Sequence, residues 1–147
     1  MNRKIKTIAI CSSGSFYKQV LEAEKELKKR GFKVKIPSTA YKMRKSGNFD
    51  VEHYKTWFKN PAEYRVKAKL MRRHFKKILE SDAILVLNYQ KKGAPGYIGG
   101  NTLMEMALAF HHRKPIFVLN PVPATSPLYE EILGMSPVFL KGDLKKI

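Results

Sequence analysis

Two hydrophobic periods alternate along the chain, one of strands and one of helices. Lys6 to Cys11 (KTIAIC) is a short β-type run that stops at Ser12-Ser13-Gly14-Ser15, a cluster suited to a tight turn and a helix N-cap. From Phe16 to Arg30, Val20, Leu21, Ala23 and Leu27 form an apolar stripe, Glu22, Glu26 and Lys29 a polar side, and Gly31 a C-cap. Phe32 to Ile36 reads as the second strand, closed by Pro37. A strand, helix and strand joined so closely favour a right-handed parallel crossover.

Between Ser38 and Asn60 no clean period persists, and the polar, basic and aromatic mixture reads as an insertion with a short helix near Val51 to Phe58. Long loops in compact domains often act as lids. Pro61 suits the first turn of a helix running through Ala62 to Glu80, where Tyr64, Ala68, Met71, Phe75, Ile78 and Leu79 recur at helical spacing. Ala83 to Leu87 is an almost unbroken apolar run ending at Asn88, as expected of a central parallel strand covered on both faces. Thr102 to His112 reads as the next helix and Pro115 to Leu119 as the next strand, stopping at Asn120-Pro121. A short helix around Leu128 to Leu133 and a last strand, Val138 to Leu140, complete the pattern. It predicts an α/β fold with a doubly wound, five-stranded parallel sheet. The architecture is a flavodoxin- or Rossmann-like three-layer sandwich, with a ligand crevice at the carboxyl ends of its strands.

Composition limits the organisation. The 147 residues fit one domain spanning 1–147, with the insertion at about 38–60 inside it. A single cysteine, Cys11, leaves no internal disulfide. The apolar run after the basic start MNRKIK is too short for a signal peptide, and Ala83 to Leu87 falls far below the roughly 20 residues of a membrane span. A cytoplasmic protein without membrane attachment is expected. The charge adds more: 29 Lys and Arg against 12 Asp and Glu give a formal +17, a field that attracts anions. Twelve basic and three acidic residues lie between Ser38 and Lys77, interleaved with Tyr41, Phe49, Tyr54, Trp57, Phe58 and Tyr64. Basic residues among aromatics suit a nucleic-acid surface, but also a solvated face or a phosphorylated small ligand.

Three loops leave the carboxyl ends of predicted strands with small or polar content: Ser12 to Ser15, Asn88 to Asn101, and Asn120 to Ser126. In the first, backbone N–H groups at a helix start, with Ser12, Ser13, Gly14 and Ser15, form a cradle for an anion. Its spacing is neither GxGxxG nor the Walker pattern. The second is richest. Gly93, Gly96, Gly99 and Gly100 keep the backbone slim, Tyr97 adds an aromatic face, and Asn101-Thr102-Leu103-Met104-Glu105 follows. Thr102 with Glu105 matches a capping box, which needs no ligand. The excess of glycines and the apolar turn Met106 to Phe110 point further, to a buried helix start facing the crevice. Asn88 and Asn120, each ending a strand, can also reach it. The four histidines, His53, His74, His111 and His112, show no metal-ligand spacing with carboxylates, so neither a metal nor another cofactor is expected.

The run Asp82 to Leu87, then Tyr97-Ile-Gly-Gly-Asn-Thr-Leu-Met-Glu105-Met-Ala-Leu-Ala109, then Lys114-Pro-Ile-Phe-Val-Leu119, resembles nucleoside 2-deoxyribosyltransferases and the related 2'-deoxynucleoside 5'-monophosphate N-glycosidases. The likeness extends over most of the chain, including the Ser/Gly turn and Arg30 to Val34, and matches poorly in the insertion. It implies an N-glycoside hydrolase or transferase in which Glu105 is the nucleophile. The Ser12 to Ser15 turn would hold a 5'-phosphate, and Asn88, Tyr97, Gly99, Gly100, Asn101 and Asn120 would line the substrate site. The partners implied are a small-molecule nucleotide or nucleoside and a second copy of the chain, as a homodimer. Three positions depart from the family's pattern. His74 stands where a sugar-binding aspartate is usual, Gly99 replaces an aspartate or serine, and Ala9 lies near the place of a tyrosine. His74 could then give a proton to the leaving base. A non-catalytic nucleotide sensor of this fold, or an RNA-binding module using the basic insertion, is the competing reading. Asp82 and Cys11 read as structural.

Overall fold

The computed structural model describes residues 3–147. Five strands, β1 (Thr7–Ser12), β2 (Lys33–Lys35), β3 (Ala83–Leu87), β4 (Ile116–Val118) and β5 (Val138–Phe139), form one parallel sheet in the order β2-β1-β3-β4-β5. Alternate residues of each strand serve opposite faces. Ile8, Ile10, Leu85 and Leu87 pack with Val20, Ala23 and Leu27 of helix α1 (Tyr17–Lys29). Ala9, Cys11, Ile84 and Val86 face the other way, against Ile78 of α4 (Tyr64–Leu79) and Met106 and Ala109 of α5 (Gly100–His111). Helices thus cover both faces, as a doubly wound fold requires. The strand order reverses between β1 and β3, and ligands of such folds bind outside the carboxyl ends of the strands at that switch point.

Residues 38–60 carry the helical turns expected near Val51 to Phe58 and, before them, a helix that no period announced. Helix α2 (Ser38–Ser46) buries Ala40 and Met43 and ends at Gly47, whose φ of +74° a side chain would strain. Helix α3 (Val51–Tyr54) is capped by the Asp50 side chain, and a 3-10 turn (Thr56–Phe58) buries Trp57. Two buried residues three apart are too short a signal for α2 to be seen as a period. A second correction concerns α5. Its first backbone bond runs from Leu103 N–H to the Gly99 carbonyl, so Gly99 is the N-cap, with no side-chain bond there. The Thr102–Glu105 capping box therefore does not form, and Glu105 sits in the second turn. A last short helix, α6 (Tyr129–Gly134), buries Ile132 against the same face as α4 and α5.

Asp82 has the structural role read for it. One carboxylate oxygen accepts the Lys6 and Thr7 N–H groups at 2.9 Å each, tying the start of β1 to that of β3. These backbone donors hold its pKa below the ordinary 3.8. Asp82→Ala is expected to cost about 1–2 kcal/mol at neutral pH, read from the urea midpoint. A carboxylate with a lowered folded-state pKa stabilises above its unfolded value and loses that contribution as pH falls through the folded value. The gap between wild type and variant should therefore close in acid.

Candidate functional site

Outside the carboxyl end of β1 lies a cavity of about 230 Å³, walled by the turn after β1, by α2 to α4, and by the Gly-rich loop into α5. Glu105 lines its floor with only 3% of its surface exposed. Glu105 Oε2 lies 3.4 Å from Nε2 of the buried His74 on α4, and that Nε2 lies 3.6 Å from Sγ of Cys11 on β1. The strand alternation that turns Cys11 away from α1 is what brings it beneath α4 and α5.

Burial governs the charges here. It raises the Glu105 carboxyl to about 8, against the pull of the Lys67 ammonium. It pushes His74 down to about 4, helped by Lys77 and opposed by the Ile10 carbonyl. Although that carbonyl favours a proton on the ring, His74 Nδ1 has no hydrogen-bond partner of proper geometry. Burial thus favours a neutral imidazole beside a neutral acid over an ion pair. His74 is better suited to holding the carboxyl than to protonating a leaving base. Burial, and the nearby Glu105 and Cys11, also raise Tyr17, so its phenol remains a neutral donor in the cavity wall.

The expected residues divide clearly. Ser12, Ser13, Gly14, Tyr97, Gly99, Gly100 and Asn101 line the same cavity as Glu105 and His74. Ser15 does not: it is exposed, its N–H turned to Ser13 Oγ at 3.4 Å. The turn opens a 3-10 segment (Gly14–Phe16), not the α-helix itself, so Ser13 rather than a helix terminus presents the polar group. Asn88 and Asn120 brace the sheet instead. Asn88 donates to the Asn120 carbonyl at 2.8 Å and to that of Gly96 at 3.3 Å, and accepts the Asn120 N–H at 2.9 Å. Asn120 Nδ2 returns a bond to the Asn88 carbonyl at 3.0 Å. Both border a second, more open hollow whose lining holds no carboxylate, imidazole or ammonium.

Three lysines that sequence reasoning did not single out also line the cavity: Lys55, Lys67 and Lys91. Lys91 Nζ donates to Ser13 Oγ at 3.1 Å and lies 5.0 Å from the centre of the Tyr97 ring. Lys67 Nζ reaches Asn101 Oδ1 at 3.4 Å and lies 5.6 Å from the centre of the Trp57 ring. Burial, then Lys91 and Lys67, lower the pKa of Lys55. The signal for Lys55 and Lys67 was the basic, aromatic stretch, whose folding over the crevice no periodicity could reveal, and Lys91 stands in the Gly-rich loop before Gly93.

Gly99 opens room for Tyr97. A Cβ at Gly99 would stand 3.1 Å from the Tyr97 hydroxyl, so the phenol borders the space a side chain there would enter. No protein-family profile and no curated protein matches the chain. Among the described residues, no helix is long and apolar enough to cross a membrane.

Proposed function

We propose that the protein cleaves the base–sugar bond of a nucleoside 5'-monophosphate, with Glu105 as the nucleophile. The observation that carries this reading is a buried carboxyl on the floor of a cavity whose wall bears three ammonium groups. The Glu105 carboxylate would attack C1' as the C1'–N bond breaks and its electrons leave with the base, which takes up a proton from solvent. Water would then attack C1' of the glycosyl-enzyme, return a proton to solvent, and free Glu105 and the sugar phosphate. Lys67 favours the ionised carboxylate that this step needs. The phosphate would lie against Ser13 and Lys91, where a hydroxyl and an ammonium already meet. With no side chain at Gly99 to bind the sugar, the Tyr97 hydroxyl beside it would do so. The resemblance of the Gly-rich loop, glutamate and following strand to deoxyribosyltransferases supports the same chemistry.

The test is to incubate the protein with ribo- and deoxyribonucleoside 5'-monophosphates and with the matching free nucleosides, and to measure released base. Monophosphates should be cleaved in preference. Lys91→Met should raise KM for the monophosphate roughly tenfold and affect cleavage of the nucleoside far less, because the ammonium it removes meets the phosphate directly and touches the sugar site only through the Tyr97 ring. Equal use of nucleoside and monophosphate by wild type would contradict the phosphate site. Tight, unreactive binding of a mononucleotide would favour the sensor.

A further inference from the structure

Sγ of Cys11, Nε2 of His74 and a carboxylate oxygen of Glu105 all lie within 4.8 Å of one another, and all three residues are buried. Zinc bound at about 2.3 Å to sulfur and about 2.0–2.1 Å to nitrogen and oxygen gives tetrahedral edges of about 3.6 Å for S···N and about 3.4 Å for N···O. Two edges here match, 3.6 Å for Cys11 Sγ to His74 Nε2 and 3.4 Å for His74 Nε2 to Glu105 Oε2, while the third, from Cys11 Sγ to the Glu105 carboxylate, lies within 4.8 Å and closes by a side-chain shift of at most about 1 Å when the ion is seated. From these edges we infer that Cys11, His74 and Glu105 form a binding site for a zinc ion, its fourth position open to the cavity.

The donor set also suits that ion by charge. A thiolate and a carboxylate neutralise a dication, and the neutral imidazole adds no charge. Sulfur, nitrogen and oxygen together suit zinc better than magnesium or calcium, which take oxygen alone. On binding, Zn–S, Zn–N and Zn–O bonds form, the Cys11 S–H bond and the Glu105 carboxyl O–H bond break and both protons leave to solvent, with no change of oxidation state. His74 Nδ1, buried and without a partner of proper geometry, lies on the ring atom that zinc-bound histidines commonly use to donate to a carbonyl, and the Ile10 carbonyl is close enough to act on the ring. The three ligands come from β1, α4 and α5, so no sequence spacing could announce them.

The site itself stands apart from the glycosidase reading. Its consequence rests on that reading: with Glu105 held as a ligand, the ion would block base release. The full chain, stripped with a chelator and dialysed against Zn²⁺, should retain one equivalent. Loaded instead with Co²⁺, it should show a thiolate charge-transfer band. Cys11→Ser should abolish that band and weaken zinc at least tenfold, and His74→Gln should do the same to the affinity, with circular dichroism verifying that both fold without metal. Retention that survives both substitutions and disappears in a His111→Ala, His112→Ala variant would assign the zinc to the surface pair and overturn the site. So would a stripped wild type that takes up no zinc. Base release assayed on the metal-free protein fails or succeeds independently of these outcomes.

Discussion

Glu105→Gln is expected to lower base release by roughly a thousandfold or more, about 4 kcal/mol of transition-state stabilisation, while melting barely moves. Glutamine keeps the length and shape of the neutral acid but cannot form the glycosyl ester. The two effects separate because burial already disfavours charge at this position. Had Glu105 been the partner of a capping box, the substitution would have tested a helix end. With Gly99 as the N-cap, it tests the cavity floor alone. Unfolding of the variant would mean that the carboxyl is architectural.

Gly96→Ala should be the most damaging of the glycine substitutions in the loop. The backbone at Gly96 has φ of +59°, and a Cβ would stand 2.2 Å from the Pro121 carbonyl oxygen. The left-handed conformation alone costs about 1–2 kcal/mol for an L-residue. Relieving the overlap requires parting the loop from the end of β4, which also stretches the Asn88 bond to the Gly96 carbonyl. A total loss of roughly 3 kcal/mol or more is expected in urea unfolding. Gly93→Ala is the control: its φ is +80°, but nothing lies within 4 Å of the new Cβ, so only the conformational cost applies. Equal losses at the two positions would show that the close approach to Pro121 is not a constraint. Catalysis should fall with Gly96→Ala too, because the bond from Tyr97 N–H to the Tyr89 carbonyl at 2.8 Å positions the segment that lines the cavity.

These predictions draw on features of differing visibility in the sequence. The sheet could be read from strand periodicity and the unbroken run Ala83 to Leu87, and its parallel order followed from the alternation with helices. Glu105 could be located because a glycine-rich loop running into an apolar helix start is a local pattern. The start of α5 was misplaced by two residues because T-x-x-E satisfies a capping rule that the glycines before it pre-empt. Asn88 and Asn120 looked like ligand groups because strand ends near a crevice supply them. Their side chains instead satisfy the backbone where β3 and β4 part, a long-range pairing without a local signature. The meeting of Cys11 with His74 and the convergence of Lys55, Lys67 and Lys91 depend on packing between distant segments. Composition offered only the basic field.

The claim that Glu105 attacks the sugar is tested most directly by trapping the glycosyl-enzyme. Metal-free protein mixed with the monophosphate it cleaves best, quenched in acid within a turnover and digested, should yield the peptide containing Glu105 with a sugar-phosphate adduct on that residue. The adduct should be absent from Glu105→Gln. Rapid base release with no adduct, or with one on another residue, would contradict the account.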